Sequence, residues 1–136
     1  MEWSELLPSS CPPDDAESKS ILVYRFLKNH SEIKPECFKT VREENPDKSP
    51  FRPIEKECLA CSLSVLADRE EVIGLQRRVP RWRIPAAVGV LNPNSGRIKH
   101  TPSSTVGQSH HSWWIPTSLE AWTLFHEIIE PPKTLS

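Results

Sequence analysis

Proline limits this chain more than any other residue: 14 of 136 positions, roughly twice the average share, are Pro. With no amide hydrogen and a fixed φ, proline interrupts helices and central strands, so the chain can build only short elements joined by long connections. Pro8, Pro12 and Pro13, mixed with serines, make residues 1–20 an irregular arm that Trp3, Leu6 and Leu7 can anchor to the body. Pro46, Pro50 and Pro53 make residues 45–53 a loop, and Pro131 and Pro132 open a tail over 131–136. The remainder, residues 21–130, is large enough to bury a core and is expected to form a single domain.

Within that domain the apolar patterns are short. Ile21 to Leu27 reads as a strand interrupted by one charge, Pro35 to Val41 as a short helix with Pro in its first turn, and Cys58 to Leu66 as a helical start running into a strand. Asp68 with Glu71 three places later reads as a capping box opening a helix through Val72, Leu75 and Val79, which Pro80 stops. Ala86 to Leu91 and Arg97 to Thr101 flank Asn92-Pro93-Asn94-Ser95-Gly96 and predict a hairpin. His110 to Ile115 predicts a strand, Thr117 with Glu120 a second capping box before a short helix through Trp122, and Leu124 to Ile129 a last strand. About five strands and three short helices without βαβ alternation predict an α+β fold with a mixed or antiparallel sheet.

Charge is distributed unevenly. Residues 1–57 hold 12 acids and 9 Lys/Arg, whereas 58–136 hold 6 and 8, and no Asp or Glu lies between Val72 and Leu119. That interval carries Arg77, Arg78, Arg81, Arg83, Arg97, Lys99, His100, His110 and His111. Such a stretch either attracts phosphate, nucleic acid or an acidic surface, or pairs with the acidic N-terminal half. Trp82 between Arg81 and Arg83 adds a ring that could stack on a base while its neighbours hold phosphates, or simply pack on the body.

The acidic start Met1-Glu2-Trp3-Ser4-Glu5 and the absence of a long apolar run predict a cytoplasmic protein with no membrane partner. Cys11, Cys37, Cys58 and Cys61 are then expected as reduced thiols. Cys58-x2-Cys61 is half of a zinc-ribbon pattern, but the adjacent His110 and His111 point to opposite faces of a strand and cannot grip one ion. No metal site is predicted.

The same parity places His111, Trp113 and Ile115 on one face, read as core, and His110, Ser112 and Trp114 on the other, available for contact. It also sets Arg25 beside Ile21, Val23 and Leu27. A guanidinium on an apolar face must be paired or directed at a ligand. Either Glu120 or Glu127 pairs with it, or Arg25 binds an anion in a pocket with Ser62 and Ser64 and one of His100, His110 or His111. Arginine's planar fork suits phosphate, and histidine titrates near neutrality and suits acid/base work.

Arg25 on a first strand, Ser62-Leu63-Ser64 on a later one and Glu120 or Glu127 near a last one resemble the Arg-Ser-Glu layout of ADP-ribosyltransferase-like folds. The resemblance implies NAD as cofactor or substrate, with Arg25 on its phosphates, the serine at the nicotinamide ribose and the glutamate activating transfer; the family's Glu-x-Glu or Gln-x-Glu pair is missing. Tyr24-Arg25, Glu57-Cys58-Leu59-Ala60, Leu63-Ser64-Val65, Lys99-His100-Thr101-Pro102 and Ser109-His110-His111-Ser112-Trp113-Trp114 are similar to a group of small bacterial proteins without assigned activity. That likeness spans roughly residues 21–125 and implies a compact bacterial module, without a reaction.

The four glycines show no phosphate-cradling spacing and no glycines flank Ser64 as in a nucleophile elbow, which argues against P-loop and triad enzymes. Two functions follow as expectations. The first is a binding module for an anionic partner, a protein, a nucleic acid or a nucleotide, contacted through Arg25, Arg77, Arg78, Arg81, Trp82, Arg83, Arg97, Lys99 and Trp114. The second is a nucleotide-processing enzyme in which Arg25, Ser64 and one of His100, His110 and His111 converge on a cleft.

Overall fold

The computed structural model describes residues 1–133. Alternation in the first apolar run decides the architecture: Val23 and Leu27 are fully enclosed on one side of strand β1 (Ile21–Phe26), and Tyr24 and Phe26 are buried on the other. A strand buried on both faces needs cover on both. The chain supplies it around one antiparallel sheet of six strands with three short α-helices, an α+β domain. The remaining strands are β2 (Leu63–Leu66), β3 (Ala86–Leu91), β4 (Arg97–His100), β5 (His110–Trp114) and β6 (Phe125–Ile129).

On one face, Val23, Leu27, Leu63, Val65, Leu91 and Trp113 pack beneath Phe38 and Phe125. Phe38 ends a 3-10 turn at Pro35–Phe38, and Phe125 follows another at Ala121–Leu124. On the opposite face Tyr24, Phe26, Leu66, Ala86 and Val88 lie under Val72 and Leu75. These two come from helix α3 (Arg69–Arg78), which precedes a 3-10 turn at Pro80–Trp82. The shorter helices α1 (Val41–Glu44) and α2 (Ile54–Ala60) precede β2 and contact each other.

The strand order is β4-β5-β2-β1-β3-β6. Both edges of β3 are occupied, by β1 and β6, so the expected β3–β4 hairpin does not form. The Asn92–Gly96 turn instead sends the chain to the far edge, where β4 pairs with β5. Gly96 has a φ of 109° and a Cβ there would strike the Trp114 carbonyl, so only glycine fits.

The arm is irregular, as expected, yet closely attached. Glu17 and Ile98 exchange backbone hydrogen bonds of 2.8 and 2.7 Å, and the Thr117 amide donates to Glu2 O. Trp3, Leu7 and Cys11 pack around Ala16, Cys58 and Trp114. That packing brings Cys11 and Cys58 together as a disulfide, while Cys37 and Cys61 remain free and buried. The expectation of four reduced thiols is corrected by this proximity, and Cys58-x2-Cys61 is not a pair of metal-ligating thiolates.

Two capping boxes are also reassigned. Asp68 caps α3 by accepting from Glu70 N at 2.9 Å. Glu71 turns away to bind the chain at 107–109, accepting from Ser109 Oγ at 2.6 Å and from the Gln108 and Ser109 amides at 3.1 Å. Thr117 donates to Glu2 O rather than capping. The reciprocal box belongs to Thr40 and Glu43 at α1. Among the described residues no helix is long and apolar enough to cross a membrane.

A candidate anion cleft around Arg25

Strands β1 and β2 pair at one register position, Tyr24 opposite Leu66. Next to it opens a cleft of about 580 Å³, into which both strands, α1 and the Pro80–Trp82 turn contribute. Arg25 stands where the strands diverge. It shares the side of β1 that carries Val23 and Leu27, as parity requires, and it is half-buried.

Neither Glu120 nor Glu127 pairs with it. Arg25 Nε donates to Cys37 O at 3.1 Å and Nη1 to Ser64 O at 2.9 Å. Nη2 has no protein acceptor among the described residues. Desolvation lowers the Arg25 pKa and Glu44 works against that shift, but a guanidinium stays charged in a protein. Two carbonyls therefore fix the plane of a cation that no carboxylate among the described residues meets at ion-pair distance.

The cleft brings Arg25 together with Ser62, Ser64, His110, Arg81 and Trp82 of the expected residues, Ser62 being buried with its hydroxyl donating to Leu59 O at 2.7 Å. Ser64 is exposed and its hydroxyl makes no hydrogen bond to the described residues. His110 Nδ1 lies 2.8 Å from Thr101 O. A carbonyl only accepts, so Nδ1 carries the proton and Nε2 keeps its lone pair. Thr101 Oγ1, 3.0 Å from the same Nδ1 and 2.8 Å from Ser112 Oγ, ties the imidazole to β5.

Lys28, Asn29, Lys39, Thr40 and Glu44 also line the cleft; the sequence reading missed them because they lie in connections and in α1, where no periodicity announces a shared wall. Trp82 rests on Phe26, with ring centroids 4.7 Å apart, and holds Lys28 Nζ at 5.2 Å and the Arg81 guanidinium at 5.4 Å.

The other expected residues lie elsewhere. His111 is buried on the opposite face of β5, its ring 4.9 Å from that of His100. Its Nδ1 donates to Ser109 O at 2.6 Å, and desolvation lowers its pKa. Arg77, Arg78 and Arg83 are exposed around the end of α3, and Arg97 is exposed on β4. Lys99 pairs with Asp15 at 3.0 Å, so the acidic arm does neutralise part of the basic interval. Trp114, expected as a contact residue, is fully buried and donates to Cys58 O at 2.9 Å. The arm covers the face that parity left open.

No family model, curated protein or solved structure matches the chain. The two resemblances therefore reach only as far as the residues that suggested them. Of the ADP-ribosyltransferase-like layout, Arg25 and Ser64 share the cleft, but Glu127 pairs with Arg69 at 3.4 Å and Glu120 lines a separate cavity of about 560 Å³. Among the described residues the only carboxylate lining the Arg25 cleft is Glu44.

A second charged cluster escaped the sequence reading. Arg42 and Glu57 form a buried bidentate pair, Nη2 to Oε1 at 2.7 Å and Nε to Oε2 at 2.8 Å. Arg42 Nη1 also donates to Asn45 O and Lys48 O, and Glu57 accepts from the Phe51 amide and the Cys61 thiol. The hydrogen bond from Arg42 holds the Glu57 carboxyl down at about 2, and burial with Glu57 nearby pushes the Cys61 thiol up to about 11. This network joins α1, the 45–53 loop and α2.

Proposed function

We propose that this domain is a small binding module for an anionic partner, and that the partner presents an oxyanion such as phosphate to the Arg25 cleft. One observation carries the reading: a guanidinium oriented by two carbonyls, with Nη2 uncommitted, in a cleft whose other charges are Lys28, Lys39, Arg81 and one opposing carboxylate, Glu44. Planar donors and a cationic rim suit phosphate. Thermal unfolding with inorganic tripolyphosphate at low salt tests it. Ligand at about 100 times its dissociation constant stabilises by about 2.7 kcal/mol, and Arg25→Ala is expected to abolish the shift. No shift in the wild-type protein would sink the reading.

A second reading, an enzyme acting on a bound nucleotide, draws on the shared cleft of Arg25, Ser64 and His110. Arg25 holds phosphate, Ser64 contacts substrate, and the His110 Nε2 lone pair serves as acid/base. In that case His110→Asn loses turnover and keeps binding. Equal nucleotide turnover by wild type and this variant excludes it.

A further inference from the structure

Resting on the anion reading of the same cleft, we infer that its ligand is a nucleoside phosphate, with the base against Trp82 and the phosphate on Arg25. An inorganic anion needs charge alone, and this cleft offers more. Its volume, about 580 Å³, lies within the range of roughly 300–1,000 Å³ typical of small-molecule sites. A lone phosphate would leave most of it filled with water.

The lining contains three kinds of surface. Arg25, Lys28, Lys39 and Arg81 supply positive charge. Ser64 offers a hydroxyl without a partner among the described residues, and His110 offers a lone pair on Nε2, both suited to ribose hydroxyls. Phe26, Leu66, Trp82, Ile84 and Val106 form the apolar part.

Within that apolar part, Trp82 is half-exposed and is braced by Phe26 at 4.7 Å. Lys28 and Arg81, both exposed, carry their charges within 5.2 and 5.4 Å of its ring. Both cations lie over the ring, so a base that stacks on Trp82 takes their place and they turn to its attached phosphate, the pairing of aromatic stacking with a cationic groove that nucleic-acid sites use. The hydroxyl and lone pair in the same cleft favour a nucleoside over a phosphorylated tyrosine, whose ring carries no sugar. Free nucleotides and the end of a nucleic-acid strand share this chemistry.

Amide and indole resonances of the full chain, followed by NMR during titration, test the inference with four probes: AMP, inorganic phosphate, phenyl phosphate and a 5′-phosphorylated pentauridylate, whose terminal ribose keeps its 2′-hydroxyl. The indole signal missing in Trp82→Phe identifies Trp82 among the five tryptophans. AMP or the oligonucleotide is expected to bind roughly tenfold more tightly than phosphate or phenyl phosphate, and to shift the Trp82 signal. Binding of both nucleoside probes assigns a free-nucleotide site, and binding of the oligonucleotide alone assigns a strand end.

Trp82→Leu is expected to bring AMP and the oligonucleotide down to the level of phosphate while leaving phosphate binding within about twofold. Should the leucine variant fail to fold, Trp82→Phe, which keeps a ring on Phe26, is expected to weaken the nucleoside probes about threefold. Equal affinity for AMP, oligonucleotide and phosphate overturns the nucleoside inference and leaves the anion reading standing. Phenyl phosphate matching AMP likewise overturns it, in favour of a phosphorylated peptide. No binding of any probe removes both.

Discussion

Of the arginines only Arg42 and Arg25 are drawn in from the surface, and their surroundings differ in one respect. Arg42 is met by a carboxylate that matches its fork at two points, and further carbonyls absorb its remaining hydrogens. Among the described residues Arg25 is met only by two backbone carbonyls, its Nη2 has no acceptor, and the residue lines a cleft. The first arrangement is complete within the chain, so it holds structure together. The second is oriented but unfinished, which suits an external anion. The difference teaches that burial of a charge alone does not mark a site; what marks it is donor capacity that the protein fixes in place and does not use.

The comparison breaks first at Glu57. Glu57→Gln is expected to cost about 3–5 kcal/mol in denaturant unfolding, because it leaves Arg42 buried without a counter-charge. A double variant, Arg42→Met with Glu57→Leu, is expected to recover about half of that loss. Recovery is partial because the Phe51 amide and the Asn45 and Lys48 carbonyls lose partners. A small cost for Glu57→Gln would show the pair to be dispensable and erase the contrast.

Acid supplies a second test of the same pair. The folded Glu57 carboxyl titrates at about 2 against an ordinary 4.5. The unfolded chain therefore binds this proton more readily, and the stabilisation is present above 4.5 and lost as pH falls toward 2. Denaturant midpoints measured across that window are expected to fall in the wild-type protein and to fall less steeply in Glu57→Gln.

Arg25→Met sharpens the other half. Removing two charge-assisted hydrogen bonds to carbonyls costs about 1.5–3 kcal/mol each, and relief of desolvation offsets a large part, so stability is expected to change by about 1–2 kcal/mol, less than for Glu57→Gln. Phosphate affinity, which depends on charged hydrogen bonds worth roughly 1.5–3 kcal/mol, is expected to drop at least tenfold. Unfolding by urea beside the tripolyphosphate titration separates the two. A variant that loses stability as Glu57→Gln does, and keeps affinity, would make Arg25 a second Arg42.

One half of this contrast, Arg25, was legible in the sequence, and the limits of that reading have physical causes. Period-two alternation placed Arg25 on the apolar side of β1, and the apolar runs fell on the strands, although the expected total was about five against the six observed and the helical start at Cys58 merged α2 with β2. The Asn92–Gly96 turn was also visible, but turn residues do not reveal that the edges of β3 are taken by distant strands. Parity named the faces of β5 correctly and misjudged Trp114, because a sheet covered on both sides hides both sets of side chains. Arg42 and Glu57 lie 15 residues apart across a proline-rich loop, so no spacing rule joins them. Lys28 and Lys39 join the cleft only after the chain around them is folded.

The smallest expected effect concerns His111, which lies on the face of β5 that also holds Trp113 and opposite Val65 of β2. Its pKa is lowered from 6.5, chiefly by desolvation, with His100, His110 and Lys19 adding repulsion against the bond to Ser109 O. For a base this sign means that the unfolded chain takes up the proton first. Its contribution is complete above 6.5 and declines as pH falls below it, well before the Glu57 window opens. Midpoints at pH 7.5 and 5.5 are expected to differ slightly in the wild-type protein and less in His111→Leu, since His100 loses its neighbour as well. Midpoints that differed as much in His111→Leu as in the wild-type protein would show that this pH response belongs to another group.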